Sequence, residues 1–566
     1  MHITTSFFYG HQNILNNKGF SKFPMFICTA ILMFGCKTGT LERNKNYNKK
    51  PNIVFLFADD LGWVDVSTGN TNGNRGSKIY ETPQIDKLAS QGISFTNAYT
   101  NQNCAPTRAS LISGQYPTGI DNQVYNVGSL NRQDQRTQGF PNLPIKPFKQ
   151  QKVISEDGIN IFDVFKSQGY QTAFVGKSHG TPHPLKGDYG IDLPADIHHI
   201  ITGFVQGEKT KSYYLALNSD NVGWTFGSEY VDKYAKPYDQ EYIDGVLKPC
   251  NTQSELSLLK ATPKHLTDAI GDFSVDYIKE KANDERPFFL YVPFHAVHSN
   301  VVGRKDLTQK YLKRGLSKRI SEYASMIELL DQNVGKINRA LKDPNGDGDF
   351  SDDITNNTLF IFYSDNGGIY RNDPLTGIKG HLNEGGIRVP LIVCYPDIIP
   401  ENTITSQAVH SIDFLPTLAD FAGADISELK KKDGSKPQYD GVSFTGILTG
   451  EETRLSRTNL FWHLPGYMDE RFSPSTVIQK RFGDDYYKLF YFYETEEFTM
   501  YHLNKDISEK TNLLKNPTSK NLEIALNMNT EMLAWLKANN APTGTWVENG
   551  GKVPYPKGNG VLKYNN

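Results

Sequence analysis

Apolar stretches that alternate with amphipathic segments place the strongest constraint on the fold of this 566-residue chain. The run at 52–58, NIVFLFA, is continuously apolar and stops at two aspartates, which is typical of a strand buried on both faces. A helix is predicted over 82–92, where Thr82 suits the N-cap, Pro83 the first turn and Gly92 the position after the end. Further strands are predicted at 93–99, 171–179, 287–298, 358–368 and 389–394, and further helices at 104–113, 159–169, 273–281, 321–341 and 411–423. This alternation predicts an α/β fold with a doubly wound, mostly parallel sheet flanked by helices.

The pattern changes from about residue 456. Short aromatic and β-branched runs at 477–482, 486–494 and 498–504 are separated by turn residues, and one amphipathic segment follows at 521–539. Such runs predict a small antiparallel sheet covered by a helix. We therefore expect a large α/β domain at 51–455 and a C-terminal α+β subdomain at 456–566.

The first 36 residues have the features of an export signal. Lysines precede the apolar run at 23–35, which has the length of a signal-peptide core and is too short to span a bilayer. The run ends at Gly35–Cys36, which resembles a bacterial lipoprotein signal, and a polar linker follows at 37–50. We expect export to the periplasm or cell surface of a bacterium, with Cys36 as the candidate lipid anchor; simple signal cleavage and an uncleaved anchor remain alternatives.

Charge and cysteine content exclude some classes of function. The net charge of −2 provides no basic field, so a nucleic-acid partner is not expected. Of the five cysteines, two lie in the export segment. The other three, Cys104, Cys250 and Cys394, are too scattered to form a disulfide framework.

Compact polar groups stand at the ends of four of the predicted strands. They are Asp59–Asp60, Lys177 with His179, His298, and Asp365–Asn366. Ligands of open α/β sheets bind beyond the carboxyl ends of the strands, so these groups are expected at one edge. The acids and the amide are hard oxygen ligands, which indicates Ca²⁺, or less favourably Mg²⁺, rather than zinc. An isolated Asp–Asp pair would more often be a turn or a cap.

Residues 104–114, CAPTRASLISG, carry the clearest chemical signal. Pro106 suits the first turn of a helix and Gly114 its end, which predicts Cys104 at a helix N-terminus, where an anion is favoured. Arg108, one turn further, adds a fork of donors for a tetrahedral oxyanion. The alternative is an ordinary buried cysteine before a surface helix.

This stretch resembles the signature of the sulfatase family. In that family the cysteine is oxidised after translation to formylglycine (3-oxoalanine), which implies a formylglycine-generating or sulfatase-maturing enzyme as a partner. Thr107 stands where serine is commoner, and both are small hydroxyl residues. The C-terminal block 488–513 also resembles the sulfatase C-terminal subdomain, so the resemblance extends from about residue 50 to near the end. It implies the alkaline-phosphatase-like fold.

The resemblance also implies a set of site residues. Lys177 and His179 stand in GKSH, which is similar to the family's glycine-lysine-any-histidine element, and Lys379 precedes an EGG-arginine element. His298 matches the histidine that follows a strand, with His295 as its competitor. The positions that match the family's calcium ligands are Asp59, Asp60, Asp365 and Asn366, together with the modified Cys104.

The chemistry implied by the resemblance is sulfate ester hydrolysis in two steps. The hydrated aldehyde made from Cys104 attacks sulfur, and collapse of the resulting ester to the aldehyde expels sulfate. Calcium, Lys177, Lys379 and Arg108 neutralise the sulfate oxygens. His298 or Lys379 protonates the leaving alcohol, and His179 takes the proton that triggers collapse.

Two other functions remain open from the sequence. One is a phosphonate or phosphodiester hydrolase with the same modified cysteine, although paired zinc ligands would be expected for phosphate. The other is a non-enzymatic glycan-binding surface lipoprotein. For the sulfatase, export indicates a substrate outside the cell, and we expect a sulfated polysaccharide or its oligosaccharides, with algal polymers such as ulvan or carrageenan preferred.

Segment 461–474, FWHLPGYMDERFSP, is interpreted as a loop beside the active site. Aromatic faces stack on sugar rings, so Trp462, with His463 and Arg471, is the candidate substrate-binding group. The alternative is that Trp462 and Tyr467 pack the two domains together.

Overall fold

The computed structural model describes residues 49–125, 143–146, 148, 150–177, 179, 233–234, 236–250, 254–299, 301–468 and 472–564. The export segment, most of the linker at 37–50 and Arg471 therefore lie outside the described residues. Within the described ranges, none of the helices combines the length and apolar character needed to cross a membrane.

The large sheet has eight strands within these ranges. They are β1 Asn52–Ala58, β2 Ile93–Tyr99, β4 Gln171–Phe174, β5 Phe288–Pro293, β6 Thr358–Ser364, β7 Arg388–Cys394, β8 Thr403–Thr405 and β9 Val409–His410. Their order is β4-β5-β1-β6-β7-β2-β8, and β9 also pairs with β2. All pairs are parallel except those that involve β7, which runs antiparallel to both β6 and β2. The prediction of a mostly parallel sheet is confirmed.

Helices cover both faces of this sheet. The longer ones are α1 Pro83–Ser90, α2 Cys104–Ser113, α3 Ile161–Ser167, α4 Leu266–Lys281, α5 Lys305–Lys313, α6 Lys318–Lys342 and α7 Phe414–Ala422. Successive side chains of a strand point to opposite faces. Thus Val54 and Leu56 pack in the core with α1, α4 and α6, whereas Phe55 and Phe57 pack with α2, α3 and α7. The central strands are buried on both sides, as their continuous apolar runs predict.

Short elements connect these layers. They comprise β3 Ile145–Lys146, β14 Thr545–Trp546, the α-helical turns Gln240–Tyr242, Glu384–Ile387 and Thr445–Thr449, the π-helix Ile243–Leu247, and the 3₁₀ turns Lys248–Cys250, Leu256–Leu259, Phe350–Asp352, Thr355–Asn357, Ser411–Asp413 and Gly560–Tyr564.

The C-terminal part forms a second, antiparallel sheet. Its strands are β10 Asn459–Leu464, β11 Ser475–Phe482, β12 Asp485–Phe492 and β13 Glu497–His502, in that order. Helix α8, Ser519–Ala538, covers one face through Ala525, Met528 and Met532, which pack with Ile478 and Leu489. The predicted small sheet with its helix is confirmed. Residues 459–464 were expected partly in a loop, and the structure corrects this, because they pair with β11 along their whole length.

Candidate active site

The register of β1 and β6 brings the two acidic strand ends together. These strands are parallel neighbours with Ala58 opposite Ser364, so Asp59 and Asp365 leave the sheet side by side. The backbone N–H of Asp60 donates to Asp365 Oδ1 at 3.0 Å, and that of Asp59 donates to the carbonyl of Ala296, which follows β5, at 2.9 Å. The strand ends therefore meet at one edge, as the sequence predicts.

Cys104 is the first residue of α2 and is buried at this edge. The helix ends before Gly114, which adopts a left-handed conformation at φ 67°. The Cys104 thiol lies 3.2 Å from Asp59 Oδ1, and Lys379 Nζ donates to the sulfur at 3.2 Å. Burial and the adjacent Asp365 and Asp59 raise the pKa of Cys104 well above its usual range. The unmodified side chain is therefore a neutral thiol, which is a poor nucleophile.

Three cations face three carboxylates among the described residues here. Arg108 donates to Asp365 Oδ2 from Nε at 3.0 Å and from Nη2 at 2.7 Å. Lys177 forms an ion pair with Asp59, and Lys379 Nζ lies 2.6 Å from Asp60 Oδ1. Burial alone would raise the pKa of Asp59, but the surrounding cations, Lys177 foremost, hold it well below its usual range. These opposite charges balance, so a bound cation and an anionic ester can be added together without leaving a large net charge.

The oxygen donors of the site fit a hard divalent cation. Asp60 Oδ2 and Asn366 Oδ1 are buried and accept no hydrogen bond from the part of the chain that the structure describes. Buried oxygens of this kind need an explanation, and coordination of a cation is one. Asp60 also holds φ at 63°, a left-handed conformation that is costly for a residue with a side chain. The donor chemistry agrees with the predicted Ca²⁺ or Mg²⁺.

The proposed metal ligands differ in how many of their oxygen atoms already accept hydrogen bonds. Ligand atoms of Asp59, Asp60, Cys104 and His298 lie within 4.8 Å of one another. Both carboxylate oxygens of Asp365 already accept hydrogen bonds, from Asp60 N and Arg108. Asn366 Nδ2 donates to Asp60 Oδ1 at 2.8 Å, which leaves the amide oxygen available. His298, which was predicted as a catalytic residue, thus also lies within reach of the cation site.

The three histidines near the site differ in exposure. His179 is exposed, His295 is buried, and the His298 side chain is 22% exposed with Nε2 at 3.9 Å from Asp60 Oδ2. Burial, followed by Lys379 and Lys177, lowers the pKa of His298 to about 4. His298 is therefore neutral near pH 7 in this arrangement.

The candidate sugar platform is buried in the structure. Trp462 is 1% exposed, and its Nε1 donates to Thr100 O at 2.7 Å. His463 is 5% exposed, and its ring nitrogens contact Thr476 Oγ1 and Pro542 O, each at 2.7 Å. Tyr467 is buried as well, and its hydroxyl donates to Glu494. Trp462 thus packs the two sheets together, as in the alternative that the sequence left open for Trp462 and Tyr467. His463 is held within the C-terminal part, and neither Trp462 nor His463 offers a free face to a sugar.

Close backbone packing around Lys379 was missed from the sequence. A side chain at Gly367 would place its Cβ 1.9 Å from the carbonyl of Gly385, so the segments after β6 and before β7 touch only because both carry glycines. Glu384, beside Gly385, is fully buried. The signal in the sequence was the pair of double glycines, at 367–368 and 385–386.

The fold of this chain is similar to that of a solved structure. The crystal structure of Ps i-CgsB in complex with k-i-k-neocarrahexaose superposes with a TM-score of 0.60 at 24% identity and covers 91% of this chain and 98% of that chain. The likeness shows the alkaline-phosphatase-like fold.

Sequence comparison identifies the family among proteins of this fold. A model of the sulfatase family matches residues 51–424, and one described as N-sulphoglucosamine sulphohydrolase, C-terminal, matches 379–536. A protein named Sulfatase from Formosa agariphila is 47% identical over 95% of this chain and 98% of its own. The N-acetylgalactosamine-6-O-sulfatase of Bacteroides thetaiotaomicron is 28% identical over 69% of this chain and 76% of its own. The chain therefore belongs to the sulfatase family and is a sulfuric ester hydrolase.

Proposed function

We propose that this protein hydrolyses sulfate monoesters on a sulfated polysaccharide or its oligosaccharides, with formylglycine made from Cys104 and a bound Ca²⁺. The observation that carries the proposal is the buried Cys104 at the N-terminus of α2, ringed by Arg108, Lys177 and Lys379. A helix N-terminus and three converging cations suit a tetrahedral oxyanion. In the unmodified chain the thiol at this position is neutral, which favours a role for the modified residue.

The residues of the chain have distinct parts in this proposal. Asp59, Asp60, Asp365 and Asn366, with the modified Cys104, would hold Ca²⁺, which would supply positive charge to the sulfate oxygens. Formylglycine would supply, in its hydrated form, the hydroxyl nucleophile. Arg108 is fixed by Asp365 and by the carbonyl of Lys177, so its guanidinium orients the anion without reorganising.

Proton transfer falls to the histidines and Lys379. His298, or Lys379, which touches Cys104 Sγ, would protonate the leaving alcohol. His179 lies near Lys177, Arg108 and Asp59 and would take the proton whose loss triggers collapse of the ester. The buried His295 remains the alternative to His298.

A carbohydrate polymer is supported as the substrate by relatives named for carbohydrate sulfatases and by the neighbour solved with k-i-k-neocarrahexaose. Among such polymers we prefer algal ones, such as ulvan or carrageenan, over glycosaminoglycans. We also propose export, with Cys36 as the lipid attachment site. Fractionation of cells that express the full chain or Cys36→Ala tests this, since loss of lipidation would release the variant from the membrane fraction.

The decisive experiment is sulfate release from a panel of sulfated glycans after co-expression with a formylglycine-generating enzyme. Activity should vanish in Cys104→Ala, and mass spectrometry of the peptide that carries residue 104 should show conversion of thiol to aldehyde. Chelation should abolish activity, and Ca²⁺ or Mg²⁺ should restore it better than Zn²⁺. Full activity with an unmodified thiol, or hydrolysis of phosphonates or phosphodiesters alone, would refute the proposal.

A further inference from the structure

A fully buried carboxylate lies five residues after Lys379, outside the set of residues that surround Cys104. Glu384 Oε1 accepts a hydrogen bond from Lys488 Nζ at 2.8 Å. Its Oε2 accepts from Arg388 Nη1 at 2.9 Å and from the hydroxyl of Tyr99 at 3.0 Å. Glu384 and Lys488 are each 0% exposed as side chains. A charge that is fully buried costs free energy unless its partners are held in place. The positions of Glu384 and Lys488 therefore depend on each other.

Two of the charged groups here come from the C-terminal subdomain. Lys488 lies on β12, and Glu509 follows β13. Lys488 Nζ lies 3.0 Å from Glu509 Oε1, and Glu509 Oε2 accepts from the backbone N–H of Glu384 at 2.8 Å. Glu509 holds φ at 51°, a left-handed conformation that is disfavoured for glutamate and is retained only where the surroundings enforce it.

The same contacts fix the segment that carries Lys379. Thr376 Oγ1 donates to the carbonyl of Ser508 at 2.5 Å, and the N–H of Gly385 donates to Thr376 O at 2.8 Å. Toward the site, the N–H of Lys379 donates to Gly368 O at 3.0 Å and that of Gly380 to Gln102 O at 2.7 Å. Segment 376–386 is thus held on one side by the C-terminal subdomain and on the other by the residues next to Asn366 and Cys104.

We propose that Glu384, Lys488 and Glu509 form a clamp, here called the Glu384 clamp, through which the C-terminal subdomain positions Lys379 for sulfate ester hydrolysis. The clamp residues are positioning residues, since they reach the reacting atoms only through Lys379. The proposal rests on the proposed function of Lys379. Through the clamp, the C-terminal subdomain would contribute to catalysis even though its Trp462 and Tyr467 are buried.

The first test compares two matched lysines of the C-terminal sheet. Lys488→Met removes the ammonium of the clamp and nearly preserves its length. Lys480→Met is the control, because Lys480 lies on β11 and pairs with Glu531 of α8, away from segment 376–386. On a small aryl sulfate we expect kcat to fall about 10- to 100-fold for Lys488→Met, because a small misplacement of a catalytic group has effects of this size. Lys480→Met should stay within twofold of wild type. Equal kcat values for the two variants would overturn the proposal.

Glu509→Gln provides a milder variant if Lys488→Met does not fold. Glutamine can still accept from the Glu384 N–H, so the fold is kept while the carboxyl group that faces Lys488 is replaced by an amide. We expect a three- to tenfold loss of kcat. The same substitution in a Lys379→Ala background should change kcat less than twofold, because the clamp acts through Lys379. A loss of the same size in both backgrounds would mean a general structural role and would overturn the proposal.

Amide hydrogen exchange supplies a readout that needs no turnover. In unmodified protein, residues 376–386 should exchange faster in Glu509→Gln than in wild type, and at the wild-type rate in Lys480→Met. Unchanged exchange in Glu509→Gln would refute the clamp. A wild-type enzyme that releases no sulfate from any ester would refute the proposed function instead, and the exchange result would still report on the clamp.

Discussion

Asp365 and Asn366 are neighbours directly after β6, but their side chains have different hydrogen-bond partners. Asp365 accepts two hydrogen bonds from Arg108, a guanidinium that is 1% exposed. Asp365→Ala leaves this charge buried without its main partner, which should reduce the free energy of unfolding by about 3–5 kcal/mol even in the presence of a chelator. Asn366→Ala removes the hydrogen bond to Asp60 and an amide oxygen that has no partner among the described residues, and should cost only about 1–2 kcal/mol.

Urea unfolding in the presence of a chelator measures both losses, and calorimetric titration with Ca²⁺ measures affinity. Both variants should bind Ca²⁺ more weakly, although only Asp365→Ala should be strongly destabilised. Equal destabilisation of the two variants, or wild-type Ca²⁺ affinity in Asn366→Ala, would contradict the prediction.

Thr107 stands where the family more often has serine, and its hydroxyl organises the turn before Cys104. Thr107 Oγ1 accepts from the N–H of Asn101 at 3.0 Å and lies 3.0 Å from the carbonyl of Asn103. Thr107→Ser should therefore keep stability and activity near wild type. Thr107→Val has the same shape without the hydroxyl and should lose about 1–3 kcal/mol, because the Asn101 N–H is left buried and unpaired. Thermal unfolding of the two variants checks this, and indistinguishable melting temperatures would refute it.

The sequence predicts the strand-end residues but not the Glu384 clamp, for a physical reason. Polar groups directly after continuous apolar runs must leave the sheet at its carboxyl edge, so Asp59 and Asp365 could be placed together. Lys488 lies within an aromatic run, where a single lysine reads as a solvent-facing side chain. Its partner Glu384 is 104 residues away, and only tertiary packing shows that both are buried.

At the scale of secondary structure, the presence of a strand or helix could be predicted more reliably than the direction in which a strand runs in its sheet. The run at 389–394 predicts a strand, and β7 is one, but residue patterns do not show that it is antiparallel to β6 and β2. Residues 459–464 were taken partly as a loop because Pro465 and Gly466 follow directly. Pairing with β11 overrides these turn residues and makes β10 the edge strand next to the large sheet.

His463 on β10 predicts a dependence of stability on pH. Burial lowers the pKa of His463 from 6.5 to about 4. The unfolded chain thus takes up a proton below pH 6.5, while the folded chain does so only below about 4. This stabilising contribution is present above pH 6.5 and is lost as the pH falls toward 4, by roughly 3 kcal/mol in total.

His463→Gln can still donate to Pro542 O but does not titrate, so its stability should fall less steeply over this pH range. Urea unfolding of both proteins between pH 4 and 8 measures the difference in slope. If stability fell equally steeply with pH in both proteins, the prediction for His463 would be wrong. Because His463 is buried, KM for an oligosaccharide and for an aryl sulfate should remain near wild type in the variant at pH 7.5. A KM raised only for the oligosaccharide would restore the predicted role in substrate binding.

At the scale of the whole molecule, the two sheets share a buried junction. Trp462, Leu464 and Phe490 of the C-terminal sheet pack in one apolar cluster with Tyr99 and Ile387. The Glu384 clamp and the Trp462 hydrogen bond to Thr100 cross the same junction. Residues Lys49–Asn566 form one compact unit. The composition change near 456 shows where the sheet type changes, but the sequence pattern could not show how tightly the two parts are joined.

This junction predicts that the two parts fold together. A chain that ends at residue 455 would expose the apolar cluster around Tyr99 and Ile387, and would leave Glu384 without Lys488. Loss of such a partner from a buried charge, added to the loss of apolar burial, exceeds the stability of a typical domain. We therefore expect the truncated chain to accumulate only as insoluble protein. Calorimetry of the full chain should show one cooperative transition, whereas two separate transitions, or a soluble and protease-resistant fragment 51–455, would show that the parts are independent.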